Sequence, residues 1–205
     1  MRPLSCRVPL RVTVDEVVAR LAELAAPTLI AIDGLPCSGK STLADKIQAA
    51  HGFECLYLDD FVRPRDEWPS RNRPAFPFEY VRYDEFIVAI RTLASKGECT
   101  YLPFDWETLT TSREPKTLRL TRPVVVEGVS SLNAAVVELY GLKIFVDSDR
   151  STTLESAIRR GGATWSEEWR DLFLPSVDIY MQSHPDLRAD LIVPGRGAGV
   201  PPTRS

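Results

Sequence analysis

Residues that build metal centres and disulfide frameworks are scarce in this sequence. Its 205 residues include four cysteines and two histidines. The cysteines are widely spaced and form no C-x-x-C pair, so the sequence predicts neither a cysteine-ligated metal site nor a disulfide framework. The fold is therefore expected to depend on an apolar core rather than on covalent or metal cross-links.

The sequence also lacks the basic excess and the long apolar runs of several functional classes. Lysine and arginine number 25 against 28 aspartates and glutamates, which gives a net charge of −3. A nucleic-acid-binding surface would require a basic excess, and no apolar run is long enough to span a bilayer. The N-terminus has no apolar segment of the kind found in signal peptides. We therefore expect a cytoplasmic protein with no nucleic-acid or membrane partner; a homo-oligomer remains an open alternative.

What the sequence does have is enough apolar residues, 44%, for the core of one α/β domain of residues 1–205. Short apolar runs alternate with segments of helical periodicity, which predicts a mostly parallel central sheet with helices on both faces. The predicted strands are 28–32, 53–58, 123–128, 142–147 and 189–193. The predicted helices are 13–26, 42–50, 84–95, 132–140, 151–160 and 166–183, the last broken or bent near Pro175. Residues 98–104 and 116–121 predict a small β insert, and 62–79 an irregular loop.

The most specific motif is the phosphate-binding pattern G-x-x-x-x-G-K-[ST] at residues 34–41. It lies between a predicted strand and a predicted helix, which is the context that the motif requires. Its glycines let the backbone approach a phosphate closely, and the helix N-terminus adds partial positive charge. The motif therefore predicts nucleotide binding by Gly34, Leu35, Pro36, Cys37, Ser38, Gly39, Lys40, Ser41 and Thr42.

Acidic residues lie at the carboxyl ends of three other predicted strands. In a parallel sheet, these strand ends meet at one edge. Glu127 is expected to bind Mg²⁺ with Ser41, either directly or through water. Asp59 or Asp60 is expected to deprotonate an attacking hydroxyl, and we favour Asp59.

Two arginines complete the predicted phosphoryl-transfer machinery. Arg159 and Arg160 end a helix that should begin near the nucleotide, and arginine neutralises phosphate charge well. We favour Arg160 over its neighbour. Together with Lys40 and Asp59, it makes up the predicted catalytic set.

The order of motifs resembles the uridine kinase-like family of P-loop kinases, which also includes nicotinamide riboside kinase, pantothenate kinase and phosphoribulokinase relatives. The resemblance covers residues 28–194. The segments that carry it are GLPCSGKS at 34–41, LDDF at 58–61, LPFDW at 102–106, VVVEG at 124–128, IFVDSD at 144–149, IRR at 158–160 and ADLIVP at 189–194. The phosphate loop alone is common to many families, whereas its combination with DDF, P-F-D and VEG is much more specific.

The resemblance implies a three-layer P-loop NTPase fold and ATP- and Mg²⁺-dependent phosphorylation of a hydroxyl on a small molecule. It implies an acceptor-site insert at about 60–121 and a lid at about 158–168, with Arg160 as a lid arginine and Asp59 as the base. The residues expected at the acceptor site are Asp59, Phe61, Glu79, Phe104, Asp105 and Trp106. Arg63, Arg65 and Arg82 are further candidates there.

The sequence departs from the family pattern at positions that bear on the acceptor. Phe104 stands where uridine kinases usually carry tyrosine, and Leu109 aligns with their pyrimidine-contacting histidine. Val62 replaces an aromatic, and Gly161–Thr164 lacks the further lid arginines. Since discrimination depends on satisfying polar edges of the substrate, the resemblance predicts the reaction class better than the acceptor.

Two other functions remain as alternatives to a kinase. One is an ATP-binding switch module, although the sequence has no N-K-x-D guanine-binding segment and no LSGGQ-like signature. The other is an inactive protein of kinase fold, against which the intact Lys40, Ser41, Asp59 and Glu127 argue.

Overall fold

The computed structural model describes residues 8–24, 27–69, 73–161 and 165–197. Its ten strands are β1 (Leu10–Arg11), β2 (Leu29–Gly34), β3 (Glu54–Tyr57), β4 (Glu98–Tyr101), β5 (Phe104–Asp105), β6 (Thr110–Thr111), β7 (Lys116–Arg119), β8 (Val124–Glu127), β9 (Leu142–Asp147) and β10 (Leu191–Pro194). The helices are α1 (Val14–Leu21), α2 (Lys40–His51), α3 (Tyr83–Lys96), α4 (Arg150–Gly161), α5 (Ser166–Glu168) and α6 (Leu174–Met181).

Six strands form one central sheet in the order β1-β10-β9-β2-β8-β3, and each neighbouring pair is parallel. The central strand β2 is buried at all six positions. Its side chains alternate between two cores, as the two-residue period of a strand requires. Ala31 joins the core that contains Phe86 of α3, while Ile32 joins the core that contains Ile47 of α2. Helices therefore cover both faces, which confirms the predicted α/β fold.

The strand register brings the carboxyl ends of the central strands to one level. Glu127, the last residue of β8, lies opposite Ile32 of β2 on one side and Tyr57 of β3 on the other. Gly34, at the end of β2, lies opposite Val146 of β9. Side chains in the loops after these strands therefore share one edge of the sheet.

The insert between β3 and β8 contains α3 and two small ribbons. Helix α3 ends at Gly97, whose φ of 75° is left-handed, a conformation common just after the last residue of a helix. Strands β4 and β7 pair antiparallel, and β5 and β6 form a second two-stranded ribbon between them. The small β insert is thus present. In the described part of 62–79, the only helical turn is Arg65–Glu67.

Two predicted helices differ from the structure. The predicted helix over 132–140 is wrong, because only Val137–Leu139 forms a short 3₁₀ turn. The amides of Asn133, Val136 and Leu139 each donate to the carbonyl oxygen three residues before, so the segment folds as successive turns. The side chains of Asp33 and Asn133 accept the amides of Leu132 and Ala135. The predicted bend near Pro175 takes the form of a π-helical segment, Trp169–Phe173, between α5 and α6.

Strand β1 at the sheet edge was not predicted, since its two residues are too few for a periodic signal. Helix α1 begins with a capping box, in which Thr13 and Glu16 bind each other's backbone amides. Within 8–24, 27–69, 73–161 and 165–197, we find no helix with both the length and the apolar character of a membrane span.

An aromatic cluster joins the irregular loop to the helical segment around α5. Trp68 lies 5.7 Å from Trp165 and 5.9 Å from Phe173, measured between ring centroids. The guanidinium of Arg65 lies 5.2 Å from the centroid of Trp165 and forms an ion pair with Glu168. Segments about one hundred residues apart in sequence are therefore packed as one unit.

Gly128 closes the contact between β8 and the 3₁₀ turn Leu58–Phe61. Its φ is +156°, and a Cβ at this position would lie 2.3 Å from the Cβ of Leu58. Such a separation is far inside van der Waals contact, and the neighbouring atom belongs to a rigid part of the Leu58 side chain. The turn can therefore pack here only against a glycine.

We expect Gly128→Ala to destabilise the protein by about 3 kcal/mol, because it adds both a steric overlap and an unfavourable φ. Gly97→Ala is the matched control. It has a φ of +75° but no atom within 4 Å of the added Cβ, so about 1 kcal/mol is expected. Urea denaturation measures both. Equal losses would contradict the steric argument.

Candidate functional site

The phosphate loop connects the end of β2 to the start of α2. Gly34 is required by its surroundings, because a Cβ there would lie 2.5 Å from the carbonyl oxygen of Val146. Gly39, with φ of 111°, precedes the helix, and Lys40 is the first helical residue. The loop amides and the helix N-terminus therefore lie together, which is the arrangement that binds phosphate.

A cavity of about 420 Å³ opens at this loop. Residues from three parts of the chain line it: Cys37, Gly39, Lys40, Ser41 and Thr42 from the loop and α2, Ser156 and Arg159 from α4, and Arg196 from the segment after β10. Three of these eight residues are cationic. A cavity with this lining suits a polyanionic ligand.

The two arginines of the cavity modify the sequence prediction. Arg159 was the less favoured alternative, yet its side chain lines the cavity. The side chain of Arg160 lies outside the part of the chain that the structure describes. Arg196 was not predicted. Its backbone amide donates to the carbonyl of Ser38 at 3.0 Å, which fixes it against the phosphate loop. Its position just after the last predicted strand is a signal that could have identified it.

Lys40 is almost fully buried. Its Nζ donates to the carbonyl oxygen of Leu35 at 2.8 Å and lies 3.9 Å from Oε1 of Glu127. The ammonium group thus points back over the phosphate loop toward the acidic end of β8. From here it can reach the outer phosphates of a nucleotide held by the loop.

Glu127 is a buried carboxyl with a strongly shifted pKa. Burial raises its pKa to about 7, the nearby negative charges of Asp59 and Asp33 add to the increase, and the Lys40 charge opposes it. An interaction with the Ser41 side chain lowers the pKa of this carboxyl. Glu127 and Ser41 are therefore in contact, as the predicted metal site requires.

Oxygen donors of this kind fit Mg²⁺, which prefers one or two carboxylates together with water and phosphate oxygens. Across the described ranges, we find no group of three or more His, Cys, Asp or Glu residues suited to hold a metal ion. A resident metal cage is thus not built from such residues there. Ser41 and Glu127 could complete the coordination of an ion brought by a nucleotide.

The adjoining acids Asp59 and Asp60 have different surroundings. The carboxylate of Asp60 accepts hydrogen bonds from Tyr101 at 2.7 Å and from Lys116 at 3.0 Å. Asp59 is exposed, and its charge acts on Glu127 and on Tyr80. Burial and, to a smaller extent, the charge of Asp59 raise the pKa of Tyr80, a residue that we did not predict near the site. Of the two acids, Asp59 is the one whose charge acts on the Glu127 carboxyl.

The residues predicted at the acceptor site are not equally accessible. Phe61 is fully buried and packs 4.7 Å from Tyr101 and 5.5 Å from Phe86, measured between ring centroids. In this position it supports the core and has no free surface for a ligand. Glu79 is exposed on the loop before α3.

The second ribbon carries the remaining three predicted acceptor-site residues. Phe104 is buried and contacts Trp106 edge to face, while Trp106 is 55% exposed. Oδ1 of Asp105 accepts the amides of Glu107 and Thr108, so this carboxylate also closes the turn of the ribbon. These bonds lower the pKa of Asp105. Trp106 is therefore the most accessible of the three.

Asp33, which we did not predict, is a buried junction behind the phosphate loop. It accepts the amides of Gly34 at 2.6 Å, Ser130 at 3.0 Å and Leu132 at 2.8 Å, and the hydroxyl of Tyr180 at 2.5 Å. Burial raises its pKa, and these four bonds oppose the shift. The first glycine of the loop is thereby tied to the turn after β8.

Two known proteins are similar to the chain in sequence. The chain is 29% identical over 190 residues to mouse uridine-cytidine kinase-like 1, covering 83% of the chain but 34% of that protein. It therefore spans about a third of the length of this relative. It is 26% identical over 183 residues to the uridine kinase of Mycoplasma pneumoniae, covering 81% of the chain and 84% of the relative. No family model matches the chain.

A solved structure extends the comparison to the fold. A possible uridine kinase from Bacillus stearothermophilus has a TM-score of 0.67 at 20% identity, covering 88% of this chain and 96% of the other. At this level of sequence identity, the match shows similarity of fold alone. The sequence matches and the common fold together confirm that the chain resembles the uridine kinase-like family of P-loop kinases.

Proposed function

We propose that the chain is an ATP-dependent phosphotransferase that moves the γ-phosphate to a hydroxyl group of a small molecule. The observation that carries the proposal is the common edge of the sheet where a cationic phosphate-loop cavity, Glu127 and Asp59 meet. The names of the matched relatives support the same class of reaction. We also propose that 60–121 forms the acceptor-site insert and 158–168 the lid.

In the proposed reaction, the phosphate loop and Lys40 hold the triphosphate, and Arg159 adds positive charge from α4. Asp59 accepts the proton of the acceptor hydroxyl as its oxygen bonds to the γ-phosphorus. The bond between that phosphorus and the β–γ bridging oxygen breaks, and ADP leaves. We propose Asp59 as the base because its charge acts on Glu127 at the nucleotide edge, whereas Asp60 binds Tyr101 and Lys116 of the insert.

Mg²⁺ would be held by Ser41 and Glu127 together with phosphate oxygens. When bound, the ion neutralises the charge that develops on the transferring phosphate. Glu127 must be ionised for this role, although its burial favours the neutral form. The ammonium of Lys40, 3.9 Å away, stabilises the ionised carboxylate.

A nucleoside or a related metabolite is the proposed acceptor class. The relatives are named for uridine and cytidine, and the exposed ring of Trp106 on the insert offers an apolar surface on which a base can stack. Phe104 and Leu109 lack the polar groups that read a pyrimidine in uridine kinases. We therefore propose the class of acceptor without assigning a particular base.

The test is a screen of acceptors coupled to ADP release, with uridine, cytidine, nicotinamide riboside, pantothenate and simple sugars. We expect at least one of them to raise ADP release well above the rate with water alone. Tight ATP binding without any response would favour the alternative of a nucleotide-binding switch.

Asp59→Asn should lower kcat for the responding acceptor by about 10²- to 10⁴-fold, because the variant cannot take up the proton. ATP affinity should stay within about twofold, since Asp59 lies on the acceptor side. Asp15→Asn, an exposed carboxylate of α1, is the charge-matched control and should leave both unchanged. Full activity of Asp59→Asn would remove this residue from the mechanism.

We expect the Glu127 carboxyl of the ligand-free protein to titrate at a pH of about 7. Below that pH it is neutral, so the Mg²⁺ concentration needed for half-maximal activity should rise as the pH falls. Infrared difference spectra should show a protonated carboxyl at pH 6 that is absent from Glu127→Gln. In Lys40→Met the midpoint should move up, because the opposing charge of Lys40 is gone. A midpoint near the ordinary glutamate value of 4.5 would contradict the prediction.

A further inference from the structure

Polar side chains of the insert bind the 3₁₀ turn Leu58–Phe61, which carries Asp59. The adjoining Asp60 carboxylate accepts the hydroxyl of Tyr101 at 2.7 Å and the ammonium of Lys116 at 3.0 Å. Tyr101 belongs to β4 and Lys116 to β7, the two paired strands of the insert. The turn is thus attached to the insert through a side chain that has no role in the proposed proton transfer.

Lys116 connects three structural elements rather than two. Besides Asp60, its Nζ donates to the carbonyl oxygen of Cys55 on β3 at 3.2 Å. The ammonium also lies 5.2 Å from the ring centroid of Tyr57 and 5.8 Å from that of Tyr101. The Lys116 side chain is 35% exposed and that of Asp60 is 17% exposed, so water screens this pair less than it screens a surface ion pair.

Arg82 binds backbone carbonyl groups of the same turn. Its Nη2 donates to the carbonyl oxygens of Asp60 at 2.9 Å and Leu102 at 2.7 Å. The backbone amide of Arg82 donates to the carbonyl oxygen of Phe61 at 2.7 Å. The guanidinium lies 5.6 Å from the Phe61 ring centroid. With the backbone fixed on this side, the Asp60 carboxylate determines how the turn is oriented toward the insert.

We propose that Lys116 is a positioning residue, which orients the turn carrying Asp59 by binding Asp60 and the end of β3. The inference rests on the proposed function, because it gives Asp59 its catalytic task. It also gives the two adjacent acids separate roles: Asp60 attaches the turn to the insert, and Asp59 faces the acceptor. A small displacement of a reacting group can cost about 10²-fold in rate, so an anchor of this kind matters for turnover.

The same anchor joins the base to the acceptor residues. Strand β7 carries Lys116, and the ribbon between β4 and β7 carries Asp105 and Trp106. Binding of Lys116 to the turn therefore sets the distance between the proton acceptor and the surface that would hold the substrate. Loss of the anchor should misalign bound acceptor and base without disturbing the phosphate loop.

The test compares Lys116→Met with Lys143→Met. Both changes remove a lysine from an ion pair, but Lys143 pairs with Asp190 at the far side of the sheet, at 3.5 Å. Hydrogen exchange of the amides of residues 58–62 should be faster by about tenfold or more in Lys116→Met and unchanged in Lys143→Met. With a responding acceptor, kcat should fall by about 10- to 100-fold in Lys116→Met alone, while KM for ATP stays within about twofold.

A double variant separates positioning from general stability. If Lys116 acts through Asp59, then Lys116→Met should cause little further loss of kcat in an Asp59→Asn background. Equal losses in both backgrounds would overturn the assignment, as would unchanged exchange in 58–62. If Lys116→Met does not fold, Tyr101→Phe, which removes one hydroxyl from the same carboxylate, should give the same effects at smaller size.

Failure of the proposed function would appear differently. A wild-type protein without acceptor-dependent ADP release refutes the phosphotransferase, whereas the exchange measurement needs no turnover. Faster exchange in Lys116→Met would then still support the anchoring of the turn, and unchanged exchange would still overturn it.

Discussion

The parallel register of the central strands is the constraint on which the site depends. Glu127 of β8 lies level with Ile32 of β2 and Tyr57 of β3, so the loops that follow these strands begin at one edge. The phosphate loop, the Glu127 carboxyl and the turn that carries Asp59 are therefore neighbours at that edge. The glycines at 34 and 128 permit the close backbone contacts that this arrangement requires.

The buried charges at this edge lower the stability of the ligand-free protein. Glu127 and Asp33 are both buried acids with raised pKa values, and they repel one another. Asp33 is compensated by four donors, whereas Glu127 has Ser41 and the more distant ammonium of Lys40. The incompletely compensated carboxyl is the one expected to meet a cation. This is the pattern expected where local stability is given up for binding.

Local signals in the sequence were sufficient for part of this structure. The strand, glycine loop and helix around 34–41 were predicted correctly because each has its own short-range pattern, and the strand-end position of Glu127 followed from one apolar run. The predicted helix at 132–140 is wrong because the segment folds as successive turns, and the bond from the Leu132 amide to Asp33, which is distant in sequence, fixes where they begin. Tertiary packing also determines the contact of Lys116 with Asp60 and the position of Arg196 beside the loop. The periodicity of a sequence carries no information about such contacts.

The aromatic cluster has a consequence for the order of binding events. Trp68 on the irregular loop contacts Trp165, which precedes α5, and Arg65 forms an ion pair with Glu168 of α5. A ligand that repositions one of these segments has to repack the other. Affinities for nucleotide and acceptor would then be thermodynamically linked, and by reciprocity each substrate would change the dissociation constant of the other by the same factor.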